Sequence, residues 1–198
     1  MNDNPFPRRG MRQLSVCVFC GSSHGADPDY AATAKKLGEL IALNGYALVF
    51  GGGNVGLMGE VARAARDGGV PVRGILPEFL KHVEPPLATK EEVIITPDLQ
   101  SRKNLMLSVA DAFVVLPGGL GTLDEYFEVI TSAQLKVLKK PIIVLDAKGY
   151  FAPLKTLLEH VAKHGFARPE ILTLHHFVPT AEDAVATLNR LLVRQPTA

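Results

Sequence analysis

Glu125 is the residue of this sequence with the clearest capacity for chemistry. It closes the run Pro117-Gly118-Gly119-Leu120-Gly121-Thr122-Leu123-Asp124-Glu125. Glycines here let backbone N–H groups come close to a ligand, and a helix beginning at Thr122 adds partial positive charge at the same place. Together they suit a phosphate group. A carboxylate one turn further on is near enough to act on the sugar of a sugar phosphate. Thr122-x-x-Glu125 also has the form of a capping box, in which Thr122 caps the helix and Glu125 reaches back to it. On this feature alone both readings stand. Two further turns have a similar character: Cys20-Gly21-Ser22-Ser23, and Gly51-Gly52-Gly53-Asn54-Val55-Gly56-Leu57-Met58-Gly59. Ser22, Ser23 and Thr122 can each donate a hydroxyl to a phosphate oxygen, or serve as turn and cap residues. No G-x-x-x-x-G-K-[ST] loop is present and the first turn is not G-x-G-x-x-G, so ATP hydrolysis and dinucleotide binding lose their usual support.

Arg102 and Lys103 are the cations to set beside that carboxylate. On a helix over 99–110, at ~100° per residue, Leu99, Met106 and Ala110 share a stripe, and Arg102 and Lys103 fall within the apolar sector around it. A guanidinium on an inward face needs an anion, because burying an unpaired charge is costly. The choices are Glu125, Asp124, Glu128 or a ligand phosphate. Lys103 either contacts ligand or snorkels to solvent. Asp124 and Glu128 read as solvating residues. The catalytic candidates are therefore Arg102 and Glu125. The substrate-binding candidates are Gly21, Ser22, Gly52, Gly53, Lys103, Met106, Pro117, Gly118, Gly119, Gly121 and Thr122.

These residues must be held by alternating strands and helices. Strands are expected at 14–19, 46–50, 70–76, 93–95, 112–116, 141–145 and 176–178. Helices are expected at 27–44, 56–67, 99–110, 122–138, 150–163 and 181–194. Asp27 is placed to cap the first helix, Pro28 suits its first turn, and Gly45 its end. Runs such as Ala112-Phe113-Val114-Val115-Leu116 are apolar throughout, as in a parallel sheet covered on both faces. The fold class is α/β: a doubly wound, mainly parallel, Rossmann-like sheet flanked by helices on both faces. In such folds ligands sit beyond the carboxyl ends of the strands, where the three glycine-bearing turns fall. Residues 1–12 read as a flexible tail and 13–198 as a single nucleotide-binding domain.

Composition narrows the function further. The 198 residues carry 21 Lys and Arg against 20 Asp and Glu, a formal net charge of +1. A chain that lives on nucleic-acid backbone or anionic membrane carries a clear basic excess, so neither partner is expected. No apolar run approaches the ~18 residues that span a bilayer, and no apolar h-region follows the polar N-terminus, so a cytoplasmic location is expected. Cys17 and Cys20 lie in an apolar run and read as small buried strand residues rather than a redox pair. His160 and His164 are four apart, but no Glu follows His160 and no third ligand is apparent, so they read as surface residues. His175 and His176 point to opposite faces if their segment is a strand.

The motifs carry a resemblance. Gly51-Gly52-Gly53-x-x-Gly56-Leu57-Met58-Gly59, Arg102-Lys103 and Pro117-Gly118-Gly119-x-Gly121-Thr122-x-x-Glu125 are similar, in order and spacing, to those of the LOG (Lonely Guy) family, whose members have often been labelled lysine decarboxylases. Gly21-Ser22-Ser23 and Glu128-Val129-Ile130-Thr131-x-Ala133-Gln134-Leu135 extend the resemblance, which runs from about Leu14 to the final helix. It implies a cytokinin riboside 5′-monophosphate phosphoribohydrolase, which cleaves the N-glycosidic bond of cytokinin nucleotides or AMP to give free base and ribose 5-phosphate. It further implies Arg102 and Glu125 as the catalytic pair, with Gly118, Gly119, Gly121 and Thr122 holding the phosphate. A homodimer or larger assembly is implied, and no metal or organic cofactor. Ser132, Lys136 and Gln100 depart from residues frequent in the family and leave the catalytic pair intact. A pyridoxal-dependent decarboxylase needs a Schiff-base lysine and an acidic partner for the pyridine nitrogen. Lys103 is the only notable candidate, and its neighbour Arg102 suits a phosphate or carboxylate better. A non-catalytic nucleotide-binding or cofactor-carrier protein of the same fold is the alternative.

Overall fold

β-branched and aromatic runs form seven strands and the longer amphipathic segments form six helices in the computed structural model, which describes residues 13–81 and 93–192. In chain order the elements are β1 (Ser15–Phe19), α1 (Pro28–Leu43), β2 (Ala47–Phe50), α2 (Gly56–Asp67), β3 (Val72–Pro77), β4 (Val93–Thr96), α3 (Leu99–Val109), β5 (Ala112–Val115), α4 (Leu120–Gln134), β6 (Ile142–Leu145), α5 (Ala152–Lys163), β7 (His176–Val178) and α6 (Ala181–Leu192). The expected tail over 1–12 and residues 193–194 of the last helix lie outside the described residues. No helix among the described residues is long and apolar enough to cross a membrane.

All strand pairs are parallel, and the sheet order is β4-β3-β2-β1-β5-β6-β7. β1 is the centre: Val16 sits opposite Leu48 of β2 on one side and Ala112 of β5 on the other. The strand order reverses at the β1/β5 boundary, which is where doubly wound sheets open a crevice. The expected fold class is the observed one.

Alternation along β1 sends its side chains into two cores. Val16 and Val18 pack with α1, α2 and α6, whereas Cys17 and Phe19 pack with α3, α4 and α5. Both faces are covered, so every residue of β1, β2, β5 and β6 is buried. Cys17 and Cys20 belong to opposite cores and form no disulfide. Asp27 caps α1, its side chain accepting from the Asp29 N–H at 2.9 Å, and Gly45 follows the helix with φ +71°.

Three expected boundaries are corrected. α4 begins at Leu120, not Thr122, because the extended backbone of Gly119 (φ −87°, ψ −156°) already forms the N-cap. It ends at Gln134, not Leu138, because Lys136 turns left-handed (φ +61°) and Val137 N–H reaches back to the Ser132 carbonyl at 3.0 Å. The apolar period continues past that point, but the chain has already reversed. α5 starts at Ala152, not Tyr150, because residues 147–149 form a tight 3₁₀ turn with left-handed Lys148 (φ +55°).

Candidate active site

The first wall of the crevice is the turn after β1. Gly21 N–H bonds to the Pro117 carbonyl at 3.1 Å, which ties this turn to the one after β5. The start of α2 supports it from the other side. Leu57 N–H donates to Ser23 O at 3.4 Å and Met58 N–H to Gly21 O at 3.3 Å. Gly56 makes that contact possible: its φ is +58°, and a Cβ there would lie 2.3 Å from the Ser22 carbonyl carbon. The Leu57 and Met58 donors of α2 therefore serve the neighbouring turn.

The second wall is the start of α4. First-turn N–H groups of a helix have no partner within the helix, and here the first turn is Leu120, Gly121 and Thr122. Thr122 is buried, and a Cβ on Gly118 would lie 2.1 Å from its Oγ1, so only glycine lets the loop lie flat against it. The capping box is absent. Thr122 stands inside the helix and Glu125 a turn further in, with Gly119 in the capping position.

Glu125 pairs instead with Arg102. Asp98 caps α3, accepting from Ser101 N–H at 2.6 Å, and that backbone bond holds its carboxyl below the ordinary range. One turn on, Arg102 Nη1 lies 3.2 Å from Glu125 Oε1, with only 12% and 8% of the two side chains exposed. Its Nε donates to the Ile75 carbonyl at 2.9 Å and its Nη2 to the Gly51 carbonyl at 3.4 Å. One guanidinium thus joins α4, β3 and the β2 turn. These two backbone bonds offset part of the cost of burying the pair.

Lys103 makes a parallel tie. Its Nζ lies 3.1 Å from both Asp124 and Glu128. Burial pulls its pKa down, but the bonds to Glu128 and Asp124 outweigh this and hold it above the ordinary value. The ammonium stays charged. Lys103 therefore neither snorkels nor suits a Schiff base, and Asp124 and Glu128, which stay partly exposed to solvent, are also its ion-pair partners. Beneath the Arg102–Glu125 pair, burial and then the charge of Glu125 raise the Cys17 thiol well above its usual pKa, which keeps it protonated.

A cleft of about 200 Å³ opens at this point, lined by Gly21, Ser22, Gly119, Gly121, Thr122, Arg102 and Glu125 with Cys20, Met58 and Leu120. Larger hollows of about 360 and 420 Å³ lie elsewhere, against α1, and hold neither the buried ion pair nor a glycine turn of the β1/β5 edge. Seven of the residues singled out in the sequence thus meet. Pro117 and Gly118 lie behind the loop, lining a second cavity of about 210 Å³ with Ser23, His24, Tyr30 and Tyr150. Gly52, Gly53, Lys103 and Met106 do not line the cleft. Met106 is fully buried in the core beside Phe113 and Tyr126, because the apolar stripe of α3 turns it onto the sheet. Cys20, Met58 and Leu120 escaped the sequence reading, although each adjoins a glycine turn. Tyr150 also escaped it, although Gly149-Tyr150 follows a strand end on the same edge of the sheet. Among the described residues no group of three His, Cys, Asp or Glu is placed to hold a metal. His160 and His164 are exposed and stack on each other at 4.1 Å.

The family model described as "Possible lysine decarboxylase" matches residues 58–188. Over 173 residues the chain is 42% identical to the cytokinin riboside 5′-monophosphate phosphoribohydrolase LOG7 of Arabidopsis thaliana, covering 87% of this chain and 80% of that protein. It is 41% identical over 173 residues to the probable cytokinin riboside 5′-monophosphate phosphoribohydrolase LOGL2 of Oryza sativa subsp. japonica, covering 87% and 71%. Among solved structures, the molybdenum cofactor binding protein of Rippkaea orientalis superposes with a TM-score of 0.70 at 26% identity, covering 92% of this chain and 99% of that one. The molybdenum cofactor carrier protein of Chlamydomonas reinhardtii, at 23% identity and a TM-score of 0.68, shares the fold over 92% and 100%.

Proposed function

The chain belongs to the LOG family of phosphoribohydrolases, and from that premise we propose that it hydrolyses the N-glycosidic bond of a nucleoside 5′-monophosphate. The substrates are cytokinin riboside 5′-monophosphates, AMP, or both; the products are free base and ribose 5-phosphate. The observation that carries this reading is the buried Arg102–Glu125 pair at 3.2 Å, one turn inside the glycine-bounded start of α4.

N-glycoside cleavage passes through an oxocarbenium-like state with positive charge growing on the ribose. In this reading the N–H groups at the start of α4, with Ser22 and Thr122, anchor the 5′-phosphate, so that binding energy goes into placing the sugar. Glu125 then faces the anomeric carbon. There its carboxylate stabilises the developing charge and orients the attacking water. Arg102 holds that carboxylate in place, and its bonds to the Ile75 and Gly51 carbonyls fix the guanidinium in turn. The protein acts as a homodimer joined through the apolar side of α4 and the turn after it.

One observation favours a second reading, a cofactor carrier: the likeness to the Rippkaea orientalis molybdenum cofactor binding protein. Turnover separates the two. Purified protein incubated with AMP or isopentenyladenosine monophosphate releases free base under the hydrolase reading and returns the nucleotide intact under the carrier reading. Chromatography reads the difference.

A further inference from the structure

Tyr150 sits in the turn that leaves β6, across the loop from the cleft. Its hydroxyl donates to the Gly118 carbonyl at 2.6 Å. The turn itself is pinned. Lys148 Nζ lies 2.8 Å from Asp27 and 2.6 Å from Asp29 at the start of α1, and the Phe151 N–H donates to Asp146 Oδ1 at 2.7 Å. The Tyr150 ring meets Tyr30 and Phe151 edge-on, at 5.8 and 4.9 Å.

The Gly118 carbonyl and the Gly119 N–H belong to one trans peptide, so they point in opposite directions. Gly119 stands between the two hollows and borders both; with the carbonyl held on the Tyr150 side, the N–H of the same peptide is directed away from Tyr150, toward the cleft. Turning this peptide over moves Gly119 from φ −87° to positive φ, which glycine adopts freely. The turned loop would present a carbonyl oxygen to the ligand in place of a donor. We propose that Tyr150 is a positioning residue. Its hydroxyl locks the Gly118–Gly119 peptide with the N–H toward the cleft, so that the loop accepts a phosphate. The inference rests on the reading of the cleft as a nucleotide 5′-phosphate site.

The test is a double-mutant cycle with Gly119→Ala. A methyl at 119 meets no atom within 4 Å, yet alanine resists positive φ, so it blocks the turned-over loop without the tyrosine. AMP affinity is measured by calorimetry in a Glu125→Gln background, where no turnover interferes. Tyr150→Phe keeps the ring and is expected to weaken AMP binding about tenfold, the worth of one good hydrogen bond. Adenosine, which has no phosphate, binds as before. With Gly119→Ala present, the same change costs less than about threefold. With Glu125 intact, Tyr150→Phe raises KM and leaves kcat within about threefold. Tyr30→Phe, which alters the same aromatic cluster, leaves AMP affinity unchanged. Equal losses with and without Gly119→Ala overturn the proposal, as does unchanged AMP affinity or a fall in kcat at constant KM. A wild-type chain that binds AMP without hydrolysing it counts against the hydrolase reading alone; one that binds no AMP overturns both.

Discussion

Arg102 shows how much one side chain decides here. Its guanidinium makes an ion pair and two backbone hydrogen bonds in three directions, so charge alone does not define its role. Lysine supplies the charge but not the planar fork. Arg102→Lys is therefore expected to lower kcat by at least about tenfold, because Glu125 keeps a cation but loses its fixed orientation. Arg102→Ala leaves the carboxylate buried without that cation and costs roughly 3 kcal/mol of stability as well. Steady-state kinetics with a thermal melt on each variant checks both statements. A lysine variant with wild-type kcat contradicts the role assigned to the guanidinium.

The elements were legible in the sequence to different degrees. Continuous apolar strands and glycine-terminated helices were readable because burial and backbone freedom act locally, and the Asp27 cap and α2 stand where they were expected. The start and end of α4 were not. Thr122-x-x-Glu125 has the form of a cap, but Glu125 is drawn inward by Arg102 from a different helix, a partner no local rule can see. Met106 and Lys103 stand outside the cleft lining for the same reason: the stripe shows which side faces inward but not what waits there. The α5–β7 connection holds a further consequence. His175, just before β7, is buried against Tyr126 of α4 and Phe177, at ring distances of 6.0 and 4.8 Å. Burial first, and then neighbouring His176, lower its pKa from 6.5 to about 4. Between those values the unfolded chain binds a proton that the folded one refuses, so this part of the stability is lost as pH falls. The slope reaches at most about 1.4 kcal/mol per pH unit. Denaturant unfolding at pH 7, 6 and 5 is expected to show this loss, and His175→Phe to flatten it. A histidine variant with the same slope as wild type contradicts this assignment.

At the scale of the whole molecule, the sheet brings the parts together. β1 and β5 are adjacent at the reversal of strand order, so turns separated by nearly a hundred residues of chain face each other across the crevice. The same arrangement leaves one side of α4 and its exit turn apolar and uncovered. Leu135 and Val137 are 68% and 80% exposed, Leu120 at the helix start 85%, and Phe127 lies between them. Such a surface on a small domain favours association. Light scattering at micromolar concentration is expected to give at least a dimer mass, and Leu135→Glu with Val137→Glu to reduce it. A monomeric wild type contradicts the assembly. The proposed hydrolysis requires that the carboxylate one turn into α4 act on the anomeric carbon. The most direct measurement is the release of free adenine and ribose 5-phosphate from AMP by the wild-type protein and by Glu125→Gln, compared at equal folded concentration. The expected result is equimolar products from the wild type and a loss of at least about a hundredfold in the variant. Undiminished turnover by Glu125→Gln would contradict it.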